Sequence, residues 1–173
     1  MKKVFLCGSL AAAMMFTACD KNNNDNNNNS NSTDQMFVTQ VAIGNQAEIQ
    51  AGQLAATKAT NAGVKSFAQM MVSEHTQAQA DLKTSATSAG FTVSDSVDAE
   101  HRALMTRLST LSGYAFDTAY MHSQVNDHLK TLTIFQSEIY SGSNQTIRGY
   151  ATQYQPHIQM HLQMADSITR RLQ

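Results

Sequence analysis

From Asp34 to Gln173 the apolar residues recur three and four positions apart, and this stretch holds the chain's one proline, Pro156. That spacing makes one buried stripe along an α-helix and is incompatible with the two-residue period of a strand. Few glycines interrupt it, and Ala, Gln, Met, Leu and Lys are plentiful, so the composition favours helix throughout. Five segments are predicted: Asp34 to Thr60, Ala62 to Ala89, a shorter one from Ser96 to Leu111, Tyr114 to Ser141, and Asn144 to Leu172. Ser32 with Gln35 forms a capping-box pattern before the first. Asn61 is placed to cap the second, and Gly90, Gly113 and Gly142 punctuate the ends of the second, third and fourth.

The four long segments each carry a seam of the kind that buries in a bundle. The seams read Phe37, Val41, Gly44, Glu48, Ala51, Ala55; then Val64, Ala68, Met71, His75, Ala78, Leu82. The later two read Tyr114, Thr118, Met121, Val125, His128, Leu132, Phe135, Ile139; then Ile147, Ala151, Tyr154, Ile158, His161, Ala165, Ile168, Leu172. Each has one ionisable residue near its middle: Glu48, His75, His128 and His161. A buried polar group without a partner costs a few kcal/mol, so these four are expected to meet one another, a ligand or water.

Whether they meet depends on topology. Tight connections make the first and last segment pairs antiparallel hairpins. The third segment is about 24 Å long at 1.5 Å per residue, enough to run back along the bundle. The second and fourth long helices then point the same way, and the four residues fall within roughly 6 Å of one level. The expected fold is an all-α, four-helix bundle of the ferritin-like kind, with a short fifth helix in the long crossover between the two hairpins.

The N-terminus reads as a targeting segment. Lys2 and Lys3 precede an uncharged apolar stretch, Val4 to Phe16, too short to span a bilayer comfortably. Phe16-Thr17-Ala18-Cys19 resembles the lipobox of bacterial lipoproteins, with Phe16 where that motif usually has Leu. The resemblance implies cleavage before Cys19 and a lipid on its side chain. Residues 22–33 contain no apolar side chain, so they cannot offset their ordering entropy and are expected to be disordered. As a flexible coil from Asp20 to Thr33 this tether has an r.m.s. span of about 20 Å. The expected organisation is a signal peptide over 1–18, a lipidated cysteine and tether over 19–33, and a helical domain over 34–173. It places the domain in the cell envelope, on the periplasmic side of a membrane or on the outer-membrane surface, with the membrane as partner through the lipid.

Composition removes other classes. The two cysteines are Cys7, in the segment to be removed, and Cys19, so no disulfide, zinc-thiolate site or thiol nucleophile remains. With 12 basic and 13 acidic residues there is no basic stripe, which argues against nucleic acid. No nucleophile elbow, phosphate loop or CxxC motif occurs, so hydrolase and nucleotide chemistry find no support. A metal-dependent oxidoreductase is the one catalytic class left open.

The segments Ala47 to Ala55, Val64 to Thr76, Leu111-Ser112-Gly113 with Phe116 to Tyr120, Val125 to His128, and Pro156 with His161-Leu162 together resemble the DUF4142 family of bacterial proteins of unknown function. The resemblance spans nearly all of the mature domain. It implies a ferritin-like fold and an envelope location, and it implies no reaction. The Glu-x-x-His pattern of ferritin-like di-iron proteins is absent here. Glu74-His75 and Asp127-His128 are adjacent pairs about 100° apart on a helix, so both members cannot enter one site equally.

Glu48, His75, His128 and His161 are therefore candidate ligands for zinc, iron or copper, with His157, four residues before His161, a possible fifth. The alternative is a metal-free structural or interaction module in which the polar layer only fixes helix register. Met70, Met71, Met121, Met160 and Met164 lie near these histidines and are read as core filling. His101 and His122 are expected to be solvated, Asp117 to serve the helix dipole, and Pro156 to open the last helix near His157.

Overall fold

The computed structural model describes Met1 and residues 25–172, with side chains from Thr33 onward in the helical part. Among these residues there are five α-helices and no strand: α1 (Asp25–Lys58), α2 (Ala62–Ala89), α3 (Ala99–Thr110), α4 (Gly113–Ser141) and α5 (Gln145–Leu172). No described helix is long and apolar enough to cross a membrane. Cys7, Cys19 and the expected signal peptide lie outside the described residues.

The long helices form a ring in which α1 packs on α2 and α4, and α5 packs on α2 and α4. Residue pairing gives the directions. Gly52 meets Ala68 and Val72, while Asn45 meets Gln79. Phe37 meets Phe135, while Thr60 meets Asp117. Neighbours in the ring are thus antiparallel, and α2 and α4 run the same way across the diagonal. The crossover joining them carries α3, which packs on α1 and α4.

Two clamps of the same design hold the ends. Asp117, fully buried at the start of α4, accepts hydrogen bonds from Thr60 N, Thr60 Oγ1 and Asn61 N (3.1, 2.6 and 2.8 Å) in the α1–α2 turn. Asp34, buried on α1, accepts from Ser143 N, Ser143 Oγ and Asn144 N (3.0, 2.7 and 3.0 Å) in the α4–α5 turn. Asn61 then caps Gly63 N and Val64 N, as Asn144 caps Thr146 N and Ile147 N. Each hairpin thus begins with a carboxylate that ties down the other hairpin's turn. Asp117 is a turn clamp and not merely a dipole partner as the sequence reading had it.

Other differences have identifiable causes. The first helix starts at Asp25, so the backbone of residues 25–33, read from composition as disordered, is helical and runs through the expected Ser32–Gln35 capping box. Extending a helix already nucleated on its buried face costs far less than starting one. The crossover helix starts at Ala99 because Asp98 caps it, accepting from His101 N at 2.9 Å. The buried face of α4 is shifted in part: Tyr114 is 63% exposed, while Phe116, Tyr120, Gln124 and Glu138 join the expected Met121, His128 and Phe135 in the interior. The polar members of that face made it look solvent-facing until their partners were in place. α5 runs unbroken through Pro156.

Two apolar clusters fill the ring. One holds Phe37, Val41, Leu82, Phe135, Ile147 and Tyr150 near the Asp34 end. The other holds Ala55, Phe67, Met71, Phe116, Tyr120 and Met121 near the Asp117 end. Met160 and Met164 lie at the surface rather than in the core. Gly52 sits where α1 and α2 come closest: a Cβ there would lie 2.9 Å from Val72 Cγ2 and 3.0 Å from the Ala68 carbonyl oxygen. Gly44, two turns earlier, has nothing within 4 Å of such a Cβ. In chemical denaturation, Gly52→Ala should therefore lower stability by about 1–3 kcal/mol through overpacking, and Gly44→Ala should raise it by about 0.5–1 kcal/mol. Equal effects at the two sites would refute this packing.

Glu138 is 1% exposed beside Asp34, neither of its carboxyl oxygens has a hydrogen-bond partner, and burial, then the neighbouring Asp34 carboxyl, push it up to about 8. A raised carboxyl favours its neutral form in the fold. The stability it contributes is complete below its ordinary value of 4.5 and is lost as pH climbs toward 8. Glu138→Gln keeps the neutral shape, so its melting temperature should exceed the parent's at pH 8 and fall less between pH 5 and pH 8. A variant that melts below the parent at pH 8 would count against this pairing.

Candidate metal centre

Between the two apolar clusters lies a layer of buried polar side chains: Asn45 and Glu48 from α1, His75 and Gln79 from α2, Gln124 and His128 from α4, and His161 from α5. The three imidazoles converge at its centre. Their ring centroids are 5.4 Å apart for His75–His161 and His128–His161, and 5.8 Å for His75–His128. One nitrogen from each ring lies within 4.8 Å of the other two.

Each ring has one nitrogen bonded outward to a group that can only accept, and this sets where its proton sits. His128 Nδ1 donates to the Gln124 carbonyl at 2.8 Å. His161 Nε2 donates to the Glu74 carboxylate at 2.9 Å. His75 is set by a chain that starts at the surface. Asp95 accepts from Gln79 Nε2 (3.2 Å), so Gln79 Oε1 accepts from Asn45 Nδ2 (3.2 Å), and Asn45 Oδ1 accepts from His75 Nδ1 (2.9 Å). The other nitrogens, His75 Nε2, His128 Nε2 and His161 Nδ1, are buried with no hydrogen-bond partner. They bear the bare lone pairs.

The rings are held neutral. Burial, then repulsion from His128 and His161, pushes the His75 imidazole well below its ordinary value. Burial and His161 bring His128 down to about 4 against the pull of the Gln124 carbonyl. Burial also lowers His161, with Glu74 opposing. Neutral imidazole is the metal-binding form, so no proton need be displaced at neutral pH.

Glu48 shares the layer but not the point of convergence. Its Oε2 accepts from Gln124 Nε2 at 2.7 Å, and its Oε1 is 3.9 Å from His128 Nδ1, the nitrogen already bonded outward. Burial raises it to about 8 despite that hydrogen bond. His157 stands outside the layer, half exposed, 3.3 Å from Glu74. The structure thus brings three of the proposed ligands together, sets Glu48 beside them, and leaves His157 on the surface. His101, expected to be solvated, is partly buried and 2.7 Å from Asp98; His122 is exposed.

The residues that orient the rings were not singled out in the sequence, though a signal existed. Asn45 lies three positions from Glu48, and Gln79 and Gln124 lie four from His75 and His128, on the same helix faces. A cavity of about 230 Å³ is lined by residues of α1 and α4, among them Glu48 and His128, together with His75, Asp98, Glu100 and His101.

A family model for a domain of unknown function, DUF4142, matches residues 20–168. The chain belongs to the DUF4142 family. Neither the curated proteins nor the solved structures provide a match. For this DUF4142 protein the chemistry must therefore be read from the site, and the site offers three neutral nitrogen donors on three helices.

Proposed function

We propose that this DUF4142 protein is a lipid-anchored envelope protein that binds one transition metal ion at His75, His128 and His161. The observation that carries the reading is the convergence of three buried, unpartnered lone pairs. Leaving each unmet costs about 1–3 kcal/mol, and a cation satisfies all three at once. Nitrogen ligands at about 2.0–2.1 Å from tetrahedral zinc stand near 3.3 Å apart, a modest contraction of the present arrangement. Outward bonds from metal-ligating histidines to carboxylate, carbonyl or amide oxygen are a regular part of such sites, and all three rings have one. Three imidazoles suit zinc, copper or iron. The two hairpins with a long crossover also support a ferritin-like topology, one that places sites in the bundle core.

Protein purified without chelator should carry close to one metal equivalent by elemental analysis, or take up added zinc or copper with a rise in melting temperature. Metal at a hundred times its dissociation constant stabilises by about 2.7 kcal/mol. His75→Ala, His128→Ala and His161→Ala should each lose that rise, and His157→Ala should keep it. A parent protein that holds no metal and melts identically with zinc, copper or iron(II) would leave the metal-free reading, in which the layer only fixes helix register.

The envelope location rests on Lys2, Lys3, the apolar Val4 to Phe16 and the lipobox-like Phe16-Thr17-Ala18-Cys19. Cys19→Ala should move the protein from the membrane fraction to the soluble one, or leave it unprocessed. Mature parent protein without lipid mass would refute the anchor.

A further inference from the structure

The inner nitrogens of all three rings are buried, so an ion reaches them only when one ring moves aside. The outward partners show which ring is freest. His128 is tied to the Gln124 carbonyl on its own helix, and His75 to buried Asn45, itself held by buried Gln79. His161 is tied to Glu74, whose side chain is 34% exposed. Among the described residues, Glu74 is also the one carboxylate hydrogen-bonded directly to any of the three rings.

A fourth histidine stands at the same carboxylate. His157, one turn before His161 on α5 and half exposed, places Nδ1 3.3 Å from Glu74 Oε2, the oxygen that His161 Nε2 meets at 2.9 Å. The Glu74–His157 separation equals the roughly 3.3 Å between neighbouring ligands of a tetrahedral ion. Tyr154 packs on the His157 ring, with centroids 5.6 Å apart, and steadies it there. Partial burial pushes the Glu74 carboxyl up, but hydrogen bonds and charge from His161 and His157 outweigh it and hold the group below its ordinary value. Glu74 is therefore an anion that attracts cations at neutral pH. The carboxylates lining the α1–α4 cavity are otherwise engaged: Asp98 with His101, Glu100 and Asp127 with Lys130, and Glu48 with Gln124.

Pro156 supplies an independent reason for motion at this point. It has no backbone N–H, so α5 continues through it without the hydrogen bond from that position to the carbonyl four residues earlier. The helix is weakened next to His157 and little more than one turn before His161, and local opening favours such segments.

We propose, on the metal-binding reading above, that Glu74 and His157 capture a divalent transition-metal ion at the surface and that the His161 ring passes it inward to His75 and His128. When Glu74 takes the ion it lets go of His161 Nε2, which keeps its proton, and the freed ring turns its Nδ1 lone pair outward and back. A group that lies on the route but not in the final site changes the barrier alone, and so alters uptake and release by the same factor. Metal-free protein is mixed with cobalt(II), uptake is followed by the visible bands, release is followed after excess EDTA, and the dissociation constant is measured separately. His157→Ala should slow both rates about tenfold with the dissociation constant unchanged. Pro156→Ala, which restores the helical bond, should also slow both. Gly44→Leu, which fills the α1–α4 cavity, should slow neither. His157→Ala with the parent's rates overturns this proposal and leaves metal binding standing, as does slowing by Gly44→Leu alone. Weaker binding by His157→Ala at an unchanged uptake rate would make His157 a ligand of the final site and overturns it too. A parent protein that takes up no cobalt overturns both readings.

Discussion

Four outward hydrogen bonds govern the centre of this bundle. The Gln124 carbonyl, the Glu74 carboxylate and the Asn45 amide oxygen each take the proton-bearing nitrogen of one histidine, and Gln79 holds Asn45 in the orientation that makes this possible. Because each acceptor leaves its ring no choice of tautomer, the remaining nitrogens must point their lone pairs at one another. Low polarity around them makes protonation costly, so proton sharing is a poor way to relieve that convergence. The layer is consequently poised for a cation. The control reaches the surface, since the polarity of the Asn45–Gln79 chain is fixed by Asp95, which is itself paired with Lys83 at 2.8 Å.

The apolar clusters on either side make this arrangement affordable in a thermodynamic sense. They bury the aromatic residues that stabilise the ring, with Phe37, Phe135 and Tyr150 at one end and Phe67, Phe116 and Tyr120 at the other. Asp34 and Asp117 then tie each hairpin to the other's turn, which fixes the relative height of the helices. Height is what matters for the site: a slip of one turn, about 5.4 Å, would carry any one histidine out of reach of the other two. Clamps at the ends and donors at the middle thus belong to one design, in which the hairpins are held in register so that three rings on three helices meet.

Much of the fold was legible because helical periodicity is a local property. The seams of α2 and α5 were read nearly residue for residue, and His75, His128 and His161 stood out as breaks in them. The length of the crossover implied that α2 and α4 run the same way, and that placed the breaks at one level. Less legible was α4, whose buried face includes Asp117, Gln124 and Glu138. Polar residues look exposed in a sequence, and only a partner such as the Thr60–Asn61 turn or Glu48 makes them internal. The start of α1 was misplaced for a related reason, because composition scores each residue separately while a helix propagates cooperatively.

By itself the sequence determined the helical class, the two-hairpin plan and the ionisable interruptions, since each depends on neighbours within a few positions or on composition. Only the tertiary structure decided which interruptions converge. It separated Glu48 and His157 from the three imidazoles, assigned each ring's free nitrogen and opened a cavity beside Gly44. Those features depend on distances between helices that are far apart in the chain, and on hydrogen bonds whose direction is fixed by acceptors on other elements. No local pattern encodes them.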